Sequence, residues 1–223
     1  LWVNRNTRRK RPGDVLKAWQ MFLMSLEHNY NHKKAILLMH TDPYDIQGMN
    51  LVEIAKNLNI LDNVRFSDKD VNFEKMNILH NISDICINIS CAEGFGLSTL
   101  EAMSVGKPII ATETGGLTRQ LINPENLFIH GVSLKPSVTT VSGNQNIPYL
   151  NEDYASLESI SKGIMDLYKI GKQKRHEIGL KAKNYVNNAF NYSEMINKWD
   201  KSIDETLQNW KIRYERIKIE EIK

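Results

Sequence analysis

The chain has 223 residues and a mass of 25.7 kDa, with 41% hydrophobic and 25% charged residues, a balance that excludes a disordered or collagen-like polymer. Its 29 Lys and Arg against 26 Asp and Glu leave a net charge of +3, too small for a global field drawing nucleic acid or an anionic membrane, so any basic site must be local. Apolar runs such as Ala35–Met39 and Asp84–Ile89 break well short of the ~20 residues of a bilayer-spanning helix, and mean hydropathy is -0.42, so no transmembrane segment is expected.

In chain order, strands are predicted at Leu1–Val3, Ala35–His40, Val64–Ser67, Asp84–Ile89, Pro108–Ala111 and Leu127–His130. Helix-period segments fall between them at Asp14–Glu27, Met49–Leu58, Phe73–His80, Leu97–Val105 and Thr118–Ile122, each after a stretch holding Gly, Pro, Asp or Asn. Strands apolar throughout that alternate with helices predict an α/β fold, a Rossmann-like doubly wound parallel sheet covered on both faces. Ligands of such sheets bind at the carboxyl ends of the strands. From Ser133 to Asn151 the chain is polar and reads as a long irregular loop. Three further helices are predicted at Asp153–Lys169, Lys172–Ala189 and Ser193 to about Arg216, the last capped by Ser193 and carrying Trp199, Ile203, Leu207 and Trp210 on one apolar face. The tail from Lys211 to Lys223 mixes both charges and reads as a solvated helical extension.

Cys86 and Cys91 fit neither a zinc nor a thioredoxin spacing. A reduced, cytoplasmic setting is expected, with any membrane attachment made through parts outside this sequence. Leu1 is followed by no basic or apolar leader; a first residue other than Met suggests a piece of a longer protein. The sequons at Asn81, Asn88 and Asn191 read as chance, because Asn88 lies within an apolar strand-like run.

The densest chemistry lies between Ser90 and Ala111. A predicted strand ends near Ser90, a turn holds Gly94, Phe95 and Gly96, and a helix opens at Leu97 with Ser98 and Thr99 in its first turn. Glycines permit close backbone approach, and the unpaired N–H groups of a helix start favour an anion. Glu93 precedes the turn and Glu101 lies about 6 Å along the helix from Leu97, at about 1.5 Å per residue. A diphosphate at the helix start would therefore have one carboxylate on either side, in the order of sugar, diphosphate and ribose in a nucleotide sugar. Asn4, Arg5, Arg8, Arg9, Lys10 and Arg11 follow the first strand. Such a cluster suits a nucleic-acid patch, a localisation signal or a phosphate clamp; its place at a strand's carboxyl end favours the clamp, and no nucleic-acid partner is expected. The Asp-x-Asp triplet of Asp68 and Asp70 is read as chance, and no metal or other cofactor is expected.

Glu93 and Glu101, with seven residues between them, closely resemble the Glu-x7-Glu signature of the retaining glycosyltransferases of family 4. Gly106, Lys107, Pro108 and the Thr114-Gly-Gly116 run match what that family carries next, and the likeness extends over roughly Leu1 to Ala189. The resemblance implies the carboxyl-terminal, donor-binding half of a GT-B fold, with extra carboxyl-terminal helices. It implies that Glu93 contacts the transferred sugar at the reacting centre, as the catalytic residue of this chain. The stretch Gly94, Phe95, Gly96, Leu97, Ser98 and Thr99 would hold sugar and phosphate, and Glu101 the ribose. Arg5 and Lys10, with Arg9 a close third, would hold the diphosphate in place of a metal ion, and the loop Ser67–Asn72 would meet the nucleobase. Three family glycines are replaced, by Asn4, Arg11 and Ser67.

The expected organisation is a nucleotide-sugar-binding domain over 1–190 and a carboxyl-terminal helix and tail over 191–223, packing on an amino-terminal domain of the same enzyme. Expected partners are a nucleotide sugar, that domain, and a glycan, lipid or protein acceptor. Alone, the chain is expected to bind donor without transferring sugar. A non-catalytic nucleotide-sugar module, a GT-B epimerase or phosphorylase, and a polyanion binder are the alternatives.

Overall fold

Short apolar runs pair in parallel because helices return the chain to the same edge after each strand. The computed structural model describes residues 1–213. In order, the elements are β1 (Trp2–Val3), α1 (Pro12–Tyr30), β2 (Leu37–His40), α2 (Leu51–Asn57), β3 (Val64–Ser67), α3 (Phe73–Ile82), β4 (Cys86–Asn88), α4 (Leu97–Ser104), β5 (Ile109–Thr112), α5 (Gly115–Leu121), β6 (Gly131–Leu134), β7 (Val138–Ser142), β8 (Leu150–Tyr154), α6 (Leu157–Lys169), α7 (Gly171–Ala189) and α8 (Tyr192–Arg213). Strands β1, β2 and β3 pair in parallel, as do β4, β5 and β6. Leu1 joins the two sets, accepting a bond from the Ile87 N–H at 2.9 Å and donating its amine to Ile85 O at 2.8 Å. The resulting order β3-β2-β1-β4-β5-β6 is the doubly wound sheet that the sequence predicts, and its direction of winding reverses between β1 and β4.

Alternate side chains of the strands feed opposite faces. Ile87, Ile110, Leu37 and Met39 join Leu16, Trp19, Phe22 and Leu26 of α1 and Ile160 and Ile164 of α6 in one core. Cys86 and Ile109 are buried apart from that core, as are Ala102 and Met103 of α4 and Leu117 and Leu121 of α5. The chain divides into two compact units, Leu1–Val186 and a second beginning at Asn187. In the second, α8 leaves Trp199, Ile203, Leu207 and Trp210 between 49% and 61% exposed. Among the described residues, no helix is long and apolar enough to cross a membrane.

Four expectations need correction. Leu127–His130 is not a strand: Leu127 turns into the left-handed region at φ 58°, and pairing with β5 starts only at Gly131. A Cβ on Gly131 would lie 1.9 Å from Ile109 O, so the register begins where a side chain is lacking. The stretch Ser133–Asn151 is not an irregular loop, because β7 and β8 form an antiparallel hairpin through it. Helix α6 starts at Leu157, after a Ser156 cap, since Asp153 belongs to β8. Asn191 rather than Ser193 caps α8, accepting from the Glu194 N–H at 3.1 Å. The predicted end of that helix near Arg216, and most of the tail, lie outside the described residues.

His130 is buried, stacked on Tyr185 with centroids 4.7 Å apart, and neither ring nitrogen has a hydrogen-bond partner. Burial pushes its pKa down from 6.5 to about 4. The folded chain thus holds the ring neutral where the unfolded chain protonates it, so stability is unaffected above about pH 6.5 and declines as pH falls from 6.5 toward 4. Thermal melts should show a shallower decline over that window in His130→Phe than in the native chain; equal slopes would remove His130 from the acid response.

Candidate active site

The winding reversal places the carboxyl ends of β1 and β4 side by side, so the loop after Val3 faces the loop after Asn88. Arg8–Lys10 form one 3-10 turn, closed by Arg11 at φ 58°, the left-handed conformation favouring glycine that the family resemblance leads one to expect at this place. Two bonds lock the loops together: the Cys91 N–H donates to Arg9 O at 2.9 Å, and Arg9 Nη1 donates to Ala92 O at 2.5 Å. Lys10 Nζ then donates to the Glu93 carboxylate, with Arg9 Nη1 3.4 Å from the same oxygen. Both partners are nearly buried, at 13% exposure for Lys10 and 10% for Glu93. Burial alone would raise the Glu93 carboxyl, but the hydrogen bond and charge of Lys10, with Arg9, outweigh it and hold Glu93 below the usual carboxylate range. Burial likewise pushes the Lys10 ammonium below its ordinary value, while Glu93 opposes that shift.

Past Glu93 the chain turns through Gly96 at φ 90°, where a Cβ would lie 2.6 Å from a Leu117 methyl. Gln120 Nε2 fixes the turn by donating to Phe95 O at 2.6 Å, and the Gly116 N–H donates to Glu93 O at 3.0 Å. Helix α4 then presents the N–H groups of Leu97 and Ser98, which no preceding helical carbonyl can serve. Thr99 is drawn inward: its hydroxyl accepts from Asn88 Nδ2 at 3.0 Å, its N–H bonds Gly96 O, and the residue is fully buried. It supports the turn and offers no group to a ligand. Glu101 lies further along α4 with its side chain 44% exposed, 3.5 Å from the buried His80 Nε2.

The basic cluster divides. Arg9 and Lys10 converge on Glu93, whereas Arg5 turns to Asp45, with Nε 2.7 Å from Oδ2. Arg8 pairs with Glu152 and Arg11 with Asp14. Asp68 and Asp70 follow β3, an outer strand of the sheet, away from the meeting of β1 and β4. Asp45, His80, Glu152 and Tyr154 were not singled out from sequence. Only the hairpin pair left a signal, the strand-forming Val-Thr-Thr-Val run at Val138–Val141.

The family model for glycosyl transferases group 1 matches residues 1–185. The chain belongs to that family. Its curated relatives include the N-acetyl-alpha-D-glucosaminyl L-malate synthase of Bacillus anthracis, 32% identical over 48% of this chain and 25% of that protein. The trehalose synthase of Pyrococcus horikoshii is 37% identical over 26% of this chain and 14% of that protein. The chain thus spans a quarter or less of these relatives' lengths. Among solved structures, a glycosyltransferase from Rickettsia africae ESF-5 superposes with a TM-score of 0.69 at 23% identity, over 93% of this chain and 47% of that one. Anabaena Alr3699/HepE in complex with UDP-glucose gives 0.64 at 17% identity, over 93% and 48%. This group 1 chain has the Rossmann-like α/β architecture of a GT-B half.

Proposed function

We propose that the chain is the donor-binding half of a retaining, family 4 glycosyltransferase, which moves a sugar from a nucleoside diphosphate sugar to a glycan, lipid or protein acceptor. The observation that carries this reading is the meeting of Lys10, Arg9 and Glu93 beside the Gly96–Leu97 helix start, at the reversal of the sheet. A departing diphosphate develops negative charge, and fixed cations and N–H dipoles in a site of restricted water stabilise it. Lys10, Arg9 and the Leu97 and Ser98 N–H groups are the proposed holders, with Gly94 and Phe95 supplying backbone beside the sugar. Arg5 joins them by exchanging Asp45 for phosphate, so the cations do the work of a metal ion. Glu93, relieved of Lys10 and Arg9 by the phosphates, turns to the sugar hydroxyls near the anomeric carbon. Glu101, more exposed, accepts the ribose hydroxyls.

A polyanion binder is disfavoured because Arg8 and Arg11 each already face a carboxylate. The two buried free thiols, Cys86 and Cys91, fit a cytoplasmic setting. The chain spans about half of the superposed glycosyltransferases, so an amino-terminal domain is proposed to supply the acceptor site; this chain alone should bind donor without turnover.

Calorimetric titration tests the assignment. Uridine or guanosine diphosphate should bind with the same affinity in the presence of a chelator, and more tightly than the monophosphate. Affinity that disappears on chelation, or steeply salt-dependent binding of single-stranded nucleic acid without preference for diphosphate, would contradict it. Glu101→Ala should lose about 1.5–3 kcal/mol of nucleotide affinity, the worth of hydrogen bonds to a charged acceptor, or roughly 10–150-fold. An unchanged dissociation constant would take Glu101 out of the ribose site.

A further inference from the structure

The hairpin of β7 and β8 grips the segment that carries Arg9 and Lys10 from both sides. Glu152 on β8 is 2% exposed and takes Arg8 in a two-point pair, Nη2 to Oε1 at 2.5 Å and Nη1 to Oε2 at 2.9 Å. Tyr154 donates its hydroxyl to Glu152 Oε2 at 2.5 Å, and its ring lies 4.3 Å beneath the Arg11 guanidinium. Between these two residues, the Asp153 N–H donates to Cys91 O at 2.6 Å, and the Cys91 N–H in turn bonds Arg9 O. Arg8 and Arg11 flank Arg9 and Lys10, so both ends of the turn are fixed by one strand of the hairpin.

Electrostatics point the same way. Four cations in succession, Arg8 to Arg11, repel one another, and the turn would open unless some were neutralised. Glu152 neutralises Arg8, and Asp14 pairs with Arg11. Arg9 and Lys10 remain, sharing one carboxylate, Glu93. A two-point guanidinium–carboxylate pair is both strong and directional, so it sets the orientation of the turn as well as its charge. Arg8 also holds Glu152 down at about 2, so the pair persists throughout the neutral range.

We propose that the β7–β8 hairpin is a positioning element for diphosphate binding, with Glu152 acting through Arg8 to aim Arg9 and Lys10 at the phosphates. This rests on the donor-site assignment above. Glu152 touches no substrate; it is a positioning residue. Its removal should blunt recognition of the diphosphate in particular and leave contacts to the nucleoside as they were.

The test is calorimetry on the full chain with uridine diphosphate and uridine, or the guanosine pair if the native chain prefers it. Glu152→Gln keeps the size of the side chain and loses the ion pair. Its affinity for the diphosphate should fall about tenfold, while that for the nucleoside stays within about twofold. Tyr154→Phe keeps the ion pair and should lose only about two- to threefold for the diphosphate. The double variant Arg8→Gln/Glu152→Gln removes the unpaired charge but not the loss of tether, so its diphosphate affinity should stay low. Unchanged diphosphate binding in Glu152→Gln, equal losses for both ligands, or recovery in the double variant would each overturn the positioning role. Failure of the native chain to bind any nucleoside diphosphate would overturn the donor-site assignment and this inference with it. Native binding with an indifferent Glu152→Gln overturns this inference alone.

Discussion

Glu93→Gln is expected to bind a free nucleoside diphosphate about tenfold more tightly than the native chain, a gain of about 1.4 kcal/mol. The Glu93 carboxylate engages Lys10 and Arg9, two of the cations proposed to hold the phosphates. On that proposal it is an internal competitor that the phosphates displace. Gln keeps the shape and removes the charge. Lys10, at 13% exposure, then stands poorly solvated and without its counter-ion, which lowers the melting temperature of the empty chain and steepens the gain on binding. The intact nucleotide sugar should behave oppositely, gaining less or losing affinity, because the carboxylate is no longer there for the sugar hydroxyls. In the complete enzyme, transfer should fall by two orders of magnitude or more. Weaker binding of free diphosphate by Glu93→Gln would show that Glu93 supports the phosphates directly.

Gly116→Val should abolish donor binding. A Cβ at this position would lie 2.4 Å from Gly94 O and 2.7 Å from Phe95 Cα, and one on Gly115 2.1 Å from Glu93 O. These are backbone atoms of the turn proposed to bind donor, so no flexible side chain can give way. The turn would be pushed from α5, with loss of the Gly116 N–H bond to Glu93 O and of the alignment between Glu93 and Lys10. A 100-fold or greater loss of nucleotide affinity is expected, with circular dichroism retaining the native helix content. Affinity within about threefold of native would mean that the turn binds equally well when displaced.

Strands β4 and β5 were legible because they are short, apolar and buried at every residue, a pattern the helices between them do not imitate. Glu93 and Lys10 were singled out through the family resemblance, and the meeting of their loops follows from their place at the carboxyl ends of strands on either side of the winding reversal. The hairpin escaped because four of the five residues of β7 are exposed, leaving no inward-facing period to read. Its partner Glu152 reads as an ordinary surface acid until the fold places Arg8 against it. Arg5 illustrates a further limit, since its place in the chain is readable but its direction is set by Asp45, forty residues on. His80 and Glu101 likewise meet only in three dimensions.

A crystal structure of the chain with a nucleoside diphosphate tests the central claim most directly. The diphosphate should lie at the Leu97 and Ser98 N–H groups, with Lys10 and Arg9 turned from Glu93 onto its oxygens and the ribose against Glu101. A nucleotide bound elsewhere on the chain, or a Lys10–Glu93 pair left intact with the nucleotide present, would contradict it.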